Sequence, residues 1–104
     1  LIYVANPETM DAELIARFLA ATEKATQYIV NHPEASWEIF AGTAKELQDE
    51  LNAMAWKDTV TRFALRPAAL DRGRYLRFEA FMVASGLVSE PFAVERLAVE
   101  VGAP

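Results

Sequence analysis

Apolar residues recur at helical spacing through most of this 104-residue chain. Between Asp11 and Asn31 they fall every three or four positions, while the charged residues lie largely elsewhere, which predicts an amphipathic helix. Asp11 can cap the free N–H groups of its first turn. The helix should end before Pro33, because a residue that precedes proline is pushed out of helical geometry.

Two further helices follow from the residues that start and stop them. Pro33 suits the first position of a short helix that ends at Gly42. Thr43 and Glu46 then form a T-x-x-E capping box, which predicts a third helix running to about Ala64.

A fourth helix is predicted after the break at Arg66-Pro67. Asp71 is placed to cap it, and Gly86 is a natural terminating residue in left-handed geometry. Beyond it, Pro91 argues against a continuous helix. The segment from Val94 to Val101 can be either a short strand or an extended arm.

The apolar run from Leu1 to Ala5 predicts a buried strand that ends at the turn signal Asn6-Pro7. A lone strand is not stable, so it needs a partner from preceding sequence or from another copy of the chain. The predicted fold is therefore mainly α, with about four helices preceded by one short β-strand.

Composition fits one small domain, residues 1–104, with material for a core, since 53% of the residues are hydrophobic. The net charge of −5 argues against a broad attraction to nucleic acid or anionic lipid. Cysteine is absent, which excludes disulfides and thiol chemistry within this chain. No apolar run approaches the roughly 20 residues that span a bilayer. These residues also lack the basic-then-apolar pattern of a leader, so we expect any export signal to have been removed or to lie further upstream.

Few residues are candidates for a metal site or for catalysis. His32 is the single histidine, and with Glu34 and Glu38 it offers too few ligands for a zinc site, which normally needs three or four from the protein. Ser36 next to it lacks the G-x-S-x-G turn of a hydrolase nucleophile. We predict no metal, no cofactor and no enzymatic activity.

Two other groups have a functional and a structural interpretation. Five arginines, Arg62, Arg66, Arg72, Arg74 and Arg77, could bind an anion or RNA, but local pairing with Asp58, Asp71 and Glu79 is favoured because the net charge is negative. Trp37 and Trp56 could stack on a planar ligand, but their helical spacing beside other apolar residues favours core packing.

Asn6 differs from these groups because it directly follows the predicted strand. A polar residue at a strand end can line a ligand cleft in open α/β folds. It is the one candidate ligand-binding residue that we name.

Two stretches carry a resemblance to a known family. The strand, helix and corner at the start read LIYVANPE, RFLAATEKATQYIV and NHPEASWEIF, and residues 51–87 read LNAMAWKDTVTRFALRPAALDRGRYLRFEAFMVASGL. Together they resemble the C-terminal part of the periplasmic solute-binding proteins of ABC importers that capture pyrimidine precursors of thiamine. The H-P-E-A corner is common among solute-binding proteins, whereas the run from Trp56 to Tyr75 is more specific.

The resemblance implies a partial domain, namely the C-terminal portion of one lobe of a two-lobed, type II binding protein. It further implies a small-molecule ligand in the intact protein, a membrane permease as partner, and a periplasmic or lipid-anchored location. The family also includes enzymes that build the thiamine pyrimidine with a cysteine-rich motif, which is missing here. Because the apolar faces would have lost their native sheet, we expect the chain to self-associate. The alternative is a free-standing helical module that binds a protein partner.

Overall fold

The computed structural model describes residues 2–101, and this part of the chain is mainly helical, as predicted. Its α-helices are α1 (Ala12–Asn31), α2 (Pro33–Ala41), α3 (Glu50–Val60) and α4 (Arg72–Ala84). Short 3₁₀ turns lie at Lys45–Leu47 and Val94–Arg96. No strand is present within residues 2–101.

The boundaries of α1 and α2 confirm the prediction from capping and proline signals. Asp11 precedes α1, and its Oδ1 accepts a hydrogen bond from the Leu14 N–H at 3.0 Å. Pro33 is the first residue of α2, where its missing N–H costs no helical hydrogen bond. Gly42 follows α2, and its N–H donates to the Glu38 carbonyl at 2.9 Å.

The predicted third helix was wrong in its start and its length. Thr43 does not cap a following helix, because its hydroxyl donates back to the Phe40 carbonyl at 2.7 Å. A 3₁₀ turn intervenes, and Asp49 caps α3 instead, accepting from the Asn52 N–H at 2.7 Å. The helix also ends at Val60 rather than near Ala64.

The fourth helix confirms its predicted signals. Asp71 Oδ1 accepts from the Arg74 N–H at 3.0 Å, as a capping carboxylate should. After α4, Gly86 has φ +71°, a left-handed conformation that glycine adopts without strain. The Leu87 N–H then donates to the Met82 carbonyl at 2.9 Å, which satisfies a free carbonyl of the last turn.

The predicted N-terminal strand is not confirmed. Residues 2–5 have no regular secondary structure, and Leu1 lies outside the described residues. Ile2 and Val4 are 70% and 84% exposed. The physical reason is that strand backbone needs a neighbouring strand to hydrogen-bond, and residues 2–101 supply none.

Of the two forms that its sequence left open, the tail from Val94 to Val101 does not form a strand. Val94 begins a 3₁₀ turn, and its carbonyl accepts from the Leu97 and Ala98 N–H groups, both at 2.9 Å. Residues 98–101 that follow have no regular structure.

The described part of the chain divides into two units. One contains residues 17–67, where α2 packs against α3 and against the first 3₁₀ turn. Its buried residues are few: Leu19, Thr26, Ser36, Ala41 and Val60. The small number of buried side chains means that this unit has only a thin apolar core.

The other unit contains the described residues up to Ala16 and from Ala68 onward. In it α4 packs against the Val94–Arg96 turn, where Val94 is 2% exposed. Arg72 forms an ion pair with Glu95, and the Phe92 N–H donates to Glu79 at 3.3 Å. The ion pair is exposed, so its contribution to stability should be small.

None of the described helices has the length and apolar character needed to cross a membrane.

Candidate functional site

The unit at residues 17–67 contains an open apolar cavity of about 930 Å³, which we call the tryptophan groove. α2 and α3 form its walls, and the residues just after α3 extend one side. Its principal apolar lining residues are Val30, Trp37, Trp56, Val60, Phe63 and Leu65.

Three aromatic rings form a cluster beside and within this groove. Trp56 stacks on Phe40 with 5.1 Å between ring centroids, and Trp37 lies 6.2 Å from Phe40 and 6.0 Å from Trp56. The Trp56 indole N–H donates to the Pro33 carbonyl at 3.1 Å, joining α3 to the start of α2. Such ring pairs add to the stability that apolar burial provides.

The two tryptophans therefore combine the roles that the sequence analysis weighed against each other. They pack on one another and on Phe40, as core residues do, yet both are only half-buried and line the groove. The aromatic cluster is thus a packing contact with one side open to a partner or ligand.

The charged residues of the groove are Glu34, Glu38 and Lys57. Glu34 and Glu38 are exposed and lie four positions apart on α2, a spacing that places like charges on one face. Within residues 2–101 neither carboxylate takes part in an ion pair. The α2 wall of the groove is therefore acidic.

His32 and Ser36 show no catalytic arrangement. The His32 ring lies 4.7 Å from the Tyr28 ring, and its backbone N–H donates to the Tyr28 carbonyl at 2.8 Å. Ser36 is 4% exposed, and its hydroxyl has no hydrogen-bond partner within the described chain. Neither residue lines the apolar groove, although His32 borders a smaller cavity of about 300 Å³ at the α1–α2 corner.

Asn6 lies in a turn and outside the tryptophan groove. Its side-chain oxygen accepts from the Glu8 N–H at 2.9 Å, and its carbonyl accepts from Met10 at 2.9 Å. These bonds account for an asparagine at this position through turn formation. Its proposed role in lining a ligand cleft stays a prediction.

The five arginines do not form one series. Arg62 and Arg66 belong to the unit at residues 17–67, whereas the other three lie on α4. Within residues 2–101 only Arg72 is in an ion pair, and its partner is Glu95 rather than Asp58, Asp71 or Glu79. The expected local pairing was therefore wrong in its partners, because Asp71 caps α4 and Glu79 accepts from the Phe92 backbone.

No group of three or more histidine, aspartate or glutamate side chains within residues 2–101 is arranged to hold a metal ion.

Sequence reasoning named the tryptophans but missed the acidic wall beside them. The spacing of these residues could have indicated it, because positions 34, 37 and 38 fall on one face of a helix that begins at Pro33. It was passed over because both tryptophans were assigned to a closed core.

Residues 1–36 match the family described as NMT1/THI5 like. Over 102 residues, 97% of this chain, the sequence is 38% identical to a protein of Haemophilus influenzae named "Putative thiamine biosynthesis protein". The match covers 32% of that relative, so the chain spans about one third of the curated protein's length. No solved structure matches the chain.

The N-terminal third thus matches the family itself, and nearly the whole chain is similar to a longer protein whose name refers to thiamine. The predicted resemblance to a thiamine-related protein family is confirmed, and the family that matches is the one described as NMT1/THI5 like.

Proposed function

We propose that this chain is the C-terminal portion of a substrate-binding subunit of an ABC importer, for a thiamine pyrimidine precursor or a related small molecule. The intact protein would work outside the cytoplasmic membrane, in the periplasm or held there by a lipid anchor. It would deliver its ligand to a membrane permease, without nucleic acid, cofactor or catalysis. The thiamine relation is supported by the name of the relative and by the family match.

The observation that carries the proposal is the exposure of large apolar side chains on helical faces. Leu51 on α3 is 75% exposed, and Ile39, Met54 and Leu76 are each more than half exposed. Helices of a self-sufficient domain bury such a face against another element. These faces fit helices that lie against a β-sheet of a larger lobe, as the family resemblance implies.

The proposal is tested by joining this chain to the remaining part of the longer relative. The segment of the Haemophilus influenzae relative that matches this chain is replaced by the matching residues of this chain. The chimera, the relative and the isolated chain are then titrated calorimetrically with 4-amino-5-hydroxymethyl-2-methylpyrimidine. We expect the relative and the chimera to bind with similar affinity and the isolated chain to give no heat of binding. Micromolar binding by the isolated chain would overturn the proposal, as would a folded chimera that has lost the relative's binding.

The alternative function is a helical protein-interaction module, which the same exposed faces also support. Reading the genome upstream of the codon for Leu1 separates the two. Roughly 200 further in-frame residues that begin with an export signal favour the importer subunit. A start codon next to Leu1 favours the module.

A further inference from the structure

The chain exposes more surface than packed units of its size require. Its accessible surface is 8606 Å². The chain has a mass of 11.6 kDa. Two separate compact bodies, each of half that mass, would together expose about 7000 Å² of accessible surface. The surplus of about 1600 Å² exceeds the roughly 800 Å² that one partner contributes to a standard protein interface. Enough unpacked surface is therefore present for an interface with another molecule.

The first exposed face suited to such an interface is the tryptophan groove. It presents the open sides of Trp37 and Trp56 next to two carboxylates, Glu34 and Glu38, that lack an ion-pair partner within residues 2–101. Lys57 on α3 is the single cation among the groove's lining residues. An occupant that brings aromatic side chains and positive charge would complement this surface.

The second face has the opposite charge and lies on α4. Arg74, Arg77, Phe78 and Phe81 follow the spacing i, i+3, i+4, i+7, so they share one side of the helix. Phe78 and Phe81 are 56% and 57% exposed and stack with 6.1 Å between centroids.

Neither Arg74 nor Arg77 forms an ion pair within the described chain. The nearest acidic groups on the helix and its cap are engaged elsewhere, since Asp71 caps the Arg74 N–H and Glu79 accepts from Phe92. The arginines also lie in the N-terminal half of α4, which has no acidic residue in its first turn. Arg74 lies in the first turn, where positive charge opposes the helix dipole, and the acidic group at that end is the capping carboxylate of Asp71.

We propose that α4 of one copy of this chain docks in the tryptophan groove of a second copy. An amphipathic helix that lays anchors at i, i+3, i+4 and i+7 into an apolar groove is a recurrent mode of recognition. Phe78 and Phe81 meet the tryptophans, and Arg74 and Arg77 meet Glu34 and Glu38. Arginine suits both parts of the groove, because it pairs with carboxylates and stacks on indole rings.

The test uses charge reversal in the whole chain, read by sedimentation velocity over a range of concentrations. The groove variant is E34K/E38K, and the helix variant is R74E/R77E. Each alone should associate at least about tenfold more weakly than the parent, because like charges then face each other. An equimolar mixture should regain association, since every contact between the two variants joins opposite charges.

Matched controls carry the same change of net charge elsewhere: E90K/E100K for the groove variant and R17E/R96E for the helix variant. They should associate like the parent, and circular dichroism should show parental helix content for every variant used. If a reversal variant unfolds, the neutral pair E34Q/E38Q and R74Q/R77Q replaces it, with a weaker loss expected for each. A parent that stays monomeric at every concentration overturns the proposal, as does a mixture that fails to associate or a control that loses association equally.

Discussion

At the scale of single residues, Trp56 makes the most informative contacts. Its ring stacks on Phe40 of α2, and its indole N–H reaches the Pro33 carbonyl at the start of the same helix. One side chain therefore contacts both ends of a nine-residue helix. Trp37, by contrast, has ring contacts but no hydrogen bond from its indole within residues 2–101.

Substitution of Trp56 should separate these two contributions. Trp56→Phe keeps the stacked ring and removes the hydrogen bond, so we expect a loss of about 1 kcal/mol in the free energy of unfolding. Trp56→Ala also removes the ring, which should raise the loss to about 2 kcal/mol or more. Urea denaturation measures both values.

Trp37→Phe is the matched control for Trp56→Phe and should cost less, because no hydrogen bond is lost. Equal losses for Trp56→Phe and Trp37→Phe would contradict the role of the Pro33 contact.

At the scale of helices, local signals predicted several boundaries and failed at both ends of α3. Asp11, Pro33 and Asp71 each mark a helix start in the structure, since capping and proline geometry act within a single turn. The T-x-x-E pattern at Thr43 failed because its hydroxyl found an acceptor in the preceding helix. Asp49, six residues later, offers a carboxylate to the Asn52 N–H and starts α3.

Substituting each candidate capping residue should show which of the two, Asp49 or Thr43, contributes more to the free energy of unfolding. Asp49→Ala should lower the free energy of unfolding by about 1 kcal/mol, because α3 loses the acceptor for a free N–H group. Thr43→Ala should cost less, since the hydroxyl only donates to an exposed carbonyl. Circular dichroism during urea denaturation reports both changes.

Asp49→Asn serves as the control, because asparagine is an equally good cap and should keep near-parental stability. If Thr43→Ala lowered the free energy of unfolding more than Asp49→Ala, the result would support the capping box predicted at Thr43 and contradict Asp49 as the cap.

At the scale of the whole molecule, the main property is how little apolar surface the chain buries. The buried apolar residues are Leu19, Ala41, Val60 and Val94, and none of the described large side chains is fully buried. A sequence that is 53% hydrophobic therefore leaves many apolar groups in contact with water. Both the proposed larger lobe and the proposed second copy would cover such groups.

The heat capacity change of unfolding should reflect this shortage of buried apolar surface. A typical domain of 100 residues gives about 1.2–1.5 kcal/mol/K, and most of that value comes from exposing apolar surface. We expect this chain, at concentrations too low for association, to fall clearly below that range by scanning calorimetry. Raising the concentration should increase the value if association buries apolar surface. A value within the typical range for the dilute chain would contradict the exposure seen here.

The amino-acid sequence by itself determined the helical class, the caps at Asp11 and Asp71, the break at Pro33 and the left-handed Gly86, because each depends on interactions within a few residues. It also carried the family resemblance. Only the tertiary structure decided that Ile2 and Val4 form no strand, that Asp49 rather than Thr43 starts α3, and that Trp37 and Trp56 border an open groove. Those outcomes depend on which distant groups are available for pairing, and an apolar pattern states that a face should be buried without stating what will cover it.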